Sequence, residues 1–221
     1  MNFFNEDNFL HRFFLFAGSL IELNLLWILS SIPLVTIGAS TTALYYCTLK
    51  LHKDGDISIW KSYWKSFRMN FIQATALWLG LVLAGVCVWL EKRAVVTMPG
   101  AMSVIFTYVV WGMIFFLIVI ALCIFPTIAS FENKTLRLIP YSLYFAVRKP
   151  GYTLCVAAIT CVPMYFTLVD AELFPVYLLV WLMCGFSLTA YGNSWFFWRL
   201  FRVYFGADQK QGIDIKNECG G

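Results

Sequence analysis

The chain has 221 residues, of which 61% are hydrophobic and only 13% charged, and its mean hydropathy is +0.75. Soluble domains carry about 25% charged residues, so this composition excludes an ordinary soluble domain. The formal net charge of +4 calls for no nucleic acid, because basic loops on one side of a membrane produce it.

Long apolar stretches run over 13–35, 36–51, 71–90, 102–125, 152–169 and 174–198. An apolar run of about 20 residues crosses a hydrocarbon core of about 30 Å as a helix. Lipid admits only helices or closed barrels, and these runs are too continuous for alternating barrel strands. The expected fold is all-α: a polytopic transmembrane bundle of six spans over residues 1–206, with a polar tail over 207–221. Five spans is the alternative.

Residues 1–12 read as a short interfacial lead-in, with Phe3, Phe4 and Phe9 towards lipid. No signal peptide is expected, because a basic start and a small-residue cleavage site are both missing. The first span then runs to about Pro33. It carries the one clear acid within the apolar stretches, Glu22, with Asn24 two residues on. A charge at mid-span costs roughly 2.5–3.5 kcal/mol on insertion scales, so Glu22 is expected to face the bundle interior or to stay protonated. It is either a proton- or substrate-linked carboxylate or a hydrogen-bonded lock between helices. At two-residue spacing, Glu22 and Asn24 point apart and do not form one site.

Leu34 to Gly38 reads as a tight turn. In the short second stretch Ala39, Ala43 and Cys47 recur every four residues. Such a small-residue face lets backbones approach closely, which predicts a short, tightly packed crossing and both termini on one side. In the five-span alternative residues 36–55 fold on the cytoplasmic side instead.

Residues 56–71 follow with Lys61, Lys65 and Arg68 at i, i+4 and i+7, beside an aromatic face of Trp60, Trp64, Phe67 and Phe71. That pattern predicts an amphipathic helix lying in the membrane interface, cations towards phosphate. Residues 133–149 echo it with Arg137, Arg148 and Lys149, and aligning Arg68 with Arg148 brings Trp64 over Tyr144. The echo suggests a parallel repeat of interfacial helix and span pair. The third span carries Ala76, Gly80 and Ala84 as a packing stripe. Pro126 is expected to mark a bend where the fourth span leaves the membrane, and Pro163 a kink in the fifth. The sixth span ends in an aromatic belt, Trp195 to Trp198, followed by Arg199 and Arg202.

Thirteen of the 16 Lys and Arg residues fall in the gaps before the third and fifth stretches or after the last. Basic loops mark the cytoplasmic side. The expected location is therefore a multi-pass position in a cell membrane, C-terminus inside, with membrane lipids as partners.

No GxSxG, HExxH, Walker A or GxGxxG motif occurs. The two histidines, His11 and His52, lack a partner pattern, and six of the seven cysteines lie in apolar segments with no CxxC. Neither an enzyme nor a metal or other cofactor is expected. The interaction surface expected instead is basic: Lys61, Lys65, Arg68, Arg137, Arg148 and Lys149.

The stretch Asn24-Leu25-Leu26-Trp27, then Pro33-Leu34-Val35-Thr36-Ile37-Gly38-Ala39 and Thr42 to Tyr46, resembles the YesL family of bacterial membrane proteins. Phe67-Arg68, Asn70-Phe71 and Gln73-Ala74 fit the same pattern. The resemblance implies association with carbohydrate uptake, beside ABC sugar importers, and supplies no catalytic residues. It also implies that Asn24, Pro33, Thr36 and Gly38 shape the first turn and that Asn70 caps span three. The function expected from these readings is a non-enzymatic accessory or regulatory protein bound to an ABC importer permease. The alternative is a small transporter or channel acting as a homo-oligomer.

Overall fold

The computed structural model describes residues 4–55, 57–96, 100–130 and 150–199. The described residues form helices and short connections, with no strand among them. Helix α1 spans Phe4–Ser31, α2 Ile37–Asp54, α3 Ile59–Val96, α4 Ala101–Ser130 and α5 Pro150–Val169. The last helix, α6, covers Phe174–Arg199 and contains a π-helical turn at Trp181–Gly185. Five of these helices are long and apolar enough to cross a membrane; the 18-residue α2 is not among them.

Helix α1 stops before Pro33, whose ring removes a backbone donor. A 3-10 turn at Leu34–Thr36 follows. The Thr36 hydroxyl donates to the carbonyls of Ser30 (2.6 Å) and Pro33 (2.7 Å), and its N–H also binds Pro33 O (2.8 Å). Thr36 thus shapes the turn as expected. Gly55, at φ 78°, closes the far end of α2 by donating its N–H to Leu51 O.

Helix α2 is the centre of the molecule. Ala39, Ala43 and Cys47 are fully buried, and Leu23, Leu44, Ile59, Tyr63, Ala74 and Ile124 close around them. Gly38 lies in the first turn of α2, where a Cβ would collide with the Ala74 carbonyl oxygen and sit 2.6 Å from Trp78 Cβ. The glycine sets the distance between α2 and α3 rather than the shape of the turn. Trp78 Nε1 then donates to Leu34 O at 2.9 Å, fixing the turn against α3.

Two expectations are corrected. The segment 56–71 is not a separate interfacial helix: from Ile59 it is the start of α3, one helix of 38 residues. At 1.5 Å per residue α3 is about 57 Å long, well beyond a hydrocarbon core of about 30 Å. The aromatic residues of its first turns, Trp60, Tyr63, Trp64, Phe67 and Phe71, pack on one another. The stripe of Ala76, Gly80 and Ala84 is not a packed face: Ala76 and Gly80 are exposed, and a Cβ on Gly80 would meet nothing within 4 Å. Pro126 lies buried inside α4, which continues to Ser130. Residues 133–149, with Arg137, Arg148 and Lys149, lie outside the described residues, as does the 207–221 tail.

Candidate functional site: a cationic cradle and two polar residues of the first span

The first turns of α3 divide cleanly. Ile59, Ser62, Tyr63 and Ser66 are buried towards α2. Trp60, Lys61, Trp64, Lys65 and Arg68 line an open cavity of about 490 Å³ on the opposite side. The i, i+4, i+7 spacing of the cations brings all three to that side. The Trp60 and Trp64 rings meet edge-on, with centroids 6.0 Å apart. Among the described residues Lys61, Lys65 and Arg68 have no hydrogen bond or ion pair, and no acidic residue lines the cavity. Trp64 Nε1 is buried with no hydrogen-bond partner among the described residues. The cradle is therefore a concentration of unspent positive charge and ring surface, suited to a carboxylate- or phosphate-bearing surface.

Asn24 sits elsewhere, fully buried between α1 and α6. Its Nδ2 donates to the carbonyls of Trp181 (3.0 Å) and Leu182 (2.8 Å), and its Oδ1 accepts the Ser187 N–H (3.1 Å). A π-helical turn shifts the backbone ladder by one residue and frees groups that lipid cannot satisfy. One amide here bonds three backbone groups at the turn. Asn24 thus latches the π-turn rather than shaping the first turn. Gly185 belongs to the same device, since a Cβ there would lie 2.6 Å from the Trp181 ring. Trp181 Nε1 donates to Thr167 Oγ1 at 2.9 Å, which ties α5 to the same point.

Glu22 faces the other way. It is exposed on α1 and has no hydrogen bond or ion pair among the described residues. Among the described residues it is neither in the bundle interior nor a lock between neighbouring helices. Asn70 is no helix cap either. It lies within α3, and its Nδ2 donates to Ser66 O at 3.1 Å.

A second polar layer escaped the sequence reading. Thr48 and Ser194 hydroxyls meet at 2.6 Å, and Asn193 Nδ2 donates to Thr160 Oγ1 (2.9 Å) and Tyr45 Oη (3.3 Å). The His52 ring stacks on Tyr191 at 4.0 Å, and its Nε2 contacts Tyr191 O at 2.9 Å. The signal was there in polar residues placed inside apolar stretches; their partners were not.

Five apolar helices around a buried short one, with polar side chains turned inward, define a helical membrane protein. The family described as "Protein of unknown function, DUF624" matches residues 20–91 of this chain. The match runs from Glu22 and Asn24 through the turn and the cradle. No curated protein and no solved structure matches the chain.

Proposed function

We propose that this is a non-catalytic accessory protein of carbohydrate import in a bacterial cell membrane, holding an ABC-type importer permease through the cradle on α3. The observation that carries the docking role is the set of three cations with no hydrogen bond or ion pair among the described residues, beside two indoles that pack edge-on. The link to carbohydrate rests on the resemblance of residues 24–74 to the YesL family. In this reading the acceptor on the permease is an acidic cytoplasmic segment. Positive-inside loops would leave such a segment conspicuous.

The same reading has six crossings and both termini in the cytoplasm. Helix α2 runs back along α1: Trp27 Nε1 donates to Thr41 Oγ1 at 3.2 Å, while Tyr191 touches both Phe16 and His52. If α1 crosses, α2 returns. Its 18 residues cover about 27 Å, and its enclosed position needs no lipid-facing apolar surface.

Affinity purification of the intact protein from its native membrane tests the assignment. An ABC permease should co-purify in stoichiometric amount and be lost when Lys61, Lys65 and Arg68 are all changed to Glu. Reporters fused to the two ends should read the same side. An eluate without a permease, or one in which the triple variant retains it, defeats the proposal. The second reading, a small homo-oligomeric transporter or channel, draws on the latched π-turn of α6, since π-turns recur at functional sites. Solute flux into liposomes holding the pure protein alone would favour it.

A further inference from the structure

Helix α1 offers an outward face that the bundle does not use. Between Phe16 and Ser31 its exposed residues are Gly18, Glu22, Leu25 and Leu29, and the next one back is Leu15. The spacing is 3, 4, 3, 4, the seam of a left-handed helix pair. Leu15 (55% exposed), Leu25 (49%) and Leu29 (63%) suit lipid equally well. Glu22 does not. Lipid cannot solvate a carboxyl group, and none of the described side chains does so. The Lys50 ammonium, on the neighbouring α2, is directed to Ser62 Oγ at 3.5 Å instead. One turn before Glu22, a Cβ on Gly18 would meet nothing within 4 Å, so another helix can come close there.

We infer that this face is a homodimer interface, its occupant the α1 helix of a second copy of the chain. Copies in one membrane share an orientation, so their two-fold axis stands along the membrane normal and the helices pair in parallel. A residue on that axis then meets its own counterpart at its own depth. Glu22 faces Glu22, and the seam matches itself without a shift. The pair is self-complementary when it holds one proton: the protonated carboxyl donates to the ionised one, a strong charge-assisted hydrogen bond. Gly18 faces Gly18 and lets the backbones approach closely enough for the carboxyls to touch. A different protein would have to supply both the matching seam and a donor at the right depth.

The inference is independent of the cradle and can fail or hold without it. The test is single-molecule photobleaching of the labelled full chain in liposomes over a range of protein-to-lipid ratios. Wild type should show two-step bleaching. Gly18→Leu should be monomeric across the range, and its open site means that it should still fold. Glu22→Gln, whose amide can donate and accept, should dimerise like wild type. Glu22→Leu should weaken dimerisation by about 3- to 30-fold, the range expected for an interhelical hydrogen bond in a membrane. Leu168→Ala, exposed on α5, should change nothing, and equal melting temperatures should show that each variant is folded. A wild-type protein that stays monomeric, dimers indifferent to both Gly18→Leu and Glu22→Leu, or a different protein bound at Glu22 would overturn it.

Discussion

The α1–α2–α6 region and the far half of the α3–α4 pair are both helical and apolar, yet they are held by different means. The first buries Asn24, Ser40, Thr42, Thr48, Ser187, Asn193 and Ser194, most with defined partners. The second has a small cluster of Val88, Val95 and Val110, and among its described residues from 79 to 122 no polar side chain is buried. Within lipid the hydrophobic effect does not press helices together, so close packing and interhelical hydrogen bonds decide which faces meet. The polar region has its neighbours specified residue by residue. The α3–α4 extension is specified by connection, by shape and by one cation–π contact, Lys92 Nζ over the Trp111 ring at 5.6 Å.

The glycines give the largest contrast. Gly38→Ala drives a methyl group into the Ala74 carbonyl oxygen, a backbone atom that cannot rotate away. Overpacking of this kind costs about 1–3 kcal/mol or more, and we expect the upper part of that range. Gly80→Ala, in open space on α3, should stay within about 0.5 kcal/mol of wild type. Thermal unfolding of the two variants in one detergent checks the pair. Equal melting temperatures would erase the distinction between the regions.

Asn24→Leu comes next. It removes three hydrogen bonds to the backbone of the π-turn, at about 1–3 kcal/mol. Because the freed groups belong to α6, hydrogen exchange should rise at Ser187 and its neighbours while α3 and α4 keep their protection. Uniform loosening of all helices would mean that Asn24 supports the fold generally rather than the π-turn.

Much of this was legible in the chain. Apolar run lengths give the helices. The four-residue recurrence of Ala39, Ala43 and Cys47 marks the face that α2 buries, and Thr36 marks the turn. What escaped has one physical origin: apolar periodicity separates protein from water, but in a membrane the lipid-facing side is apolar too. The small-residue stripe at Ala76 and Gly80 therefore reads like the one on α2, although it is exposed. Glu22 reads as an inward carboxyl for the same reason. The partner of Asn24 lies 157 residues away, and no local spacing points to it. The continuity of α3 was hidden by its change from a cationic to an apolar surface near Asn70, a change in environment with no break in the helix.

The smallest effect probes whether the polar ties act as pairs. Thr48 and Ser194 hydroxyls meet at 2.6 Å, but Thr48 Oγ1 also lies 3.1 Å from the carbonyls of Leu44 and Tyr45 in its own helix. Thr48→Val therefore removes an interhelical contact whose donor has a local alternative. Polar pairs in membrane bundles contribute about 0.6 kcal/mol on average, for this same reason. A double-mutant cycle of Thr48→Val and Ser194→Ala should give a coupling near about 0.6 kcal/mol, measured by unfolding in mixed micelles. A coupling near zero would leave the hydroxyls as independent helix back-bonders and shift the cohesion of α2 with α6 onto Asn193 and the His52–Tyr191 stack. A coupling above about 1.5 kcal/mol would exceed what one exchangeable bond can supply. It would show that Thr48, Ser194 and the neighbouring Asn193–Tyr45 bond respond as one network.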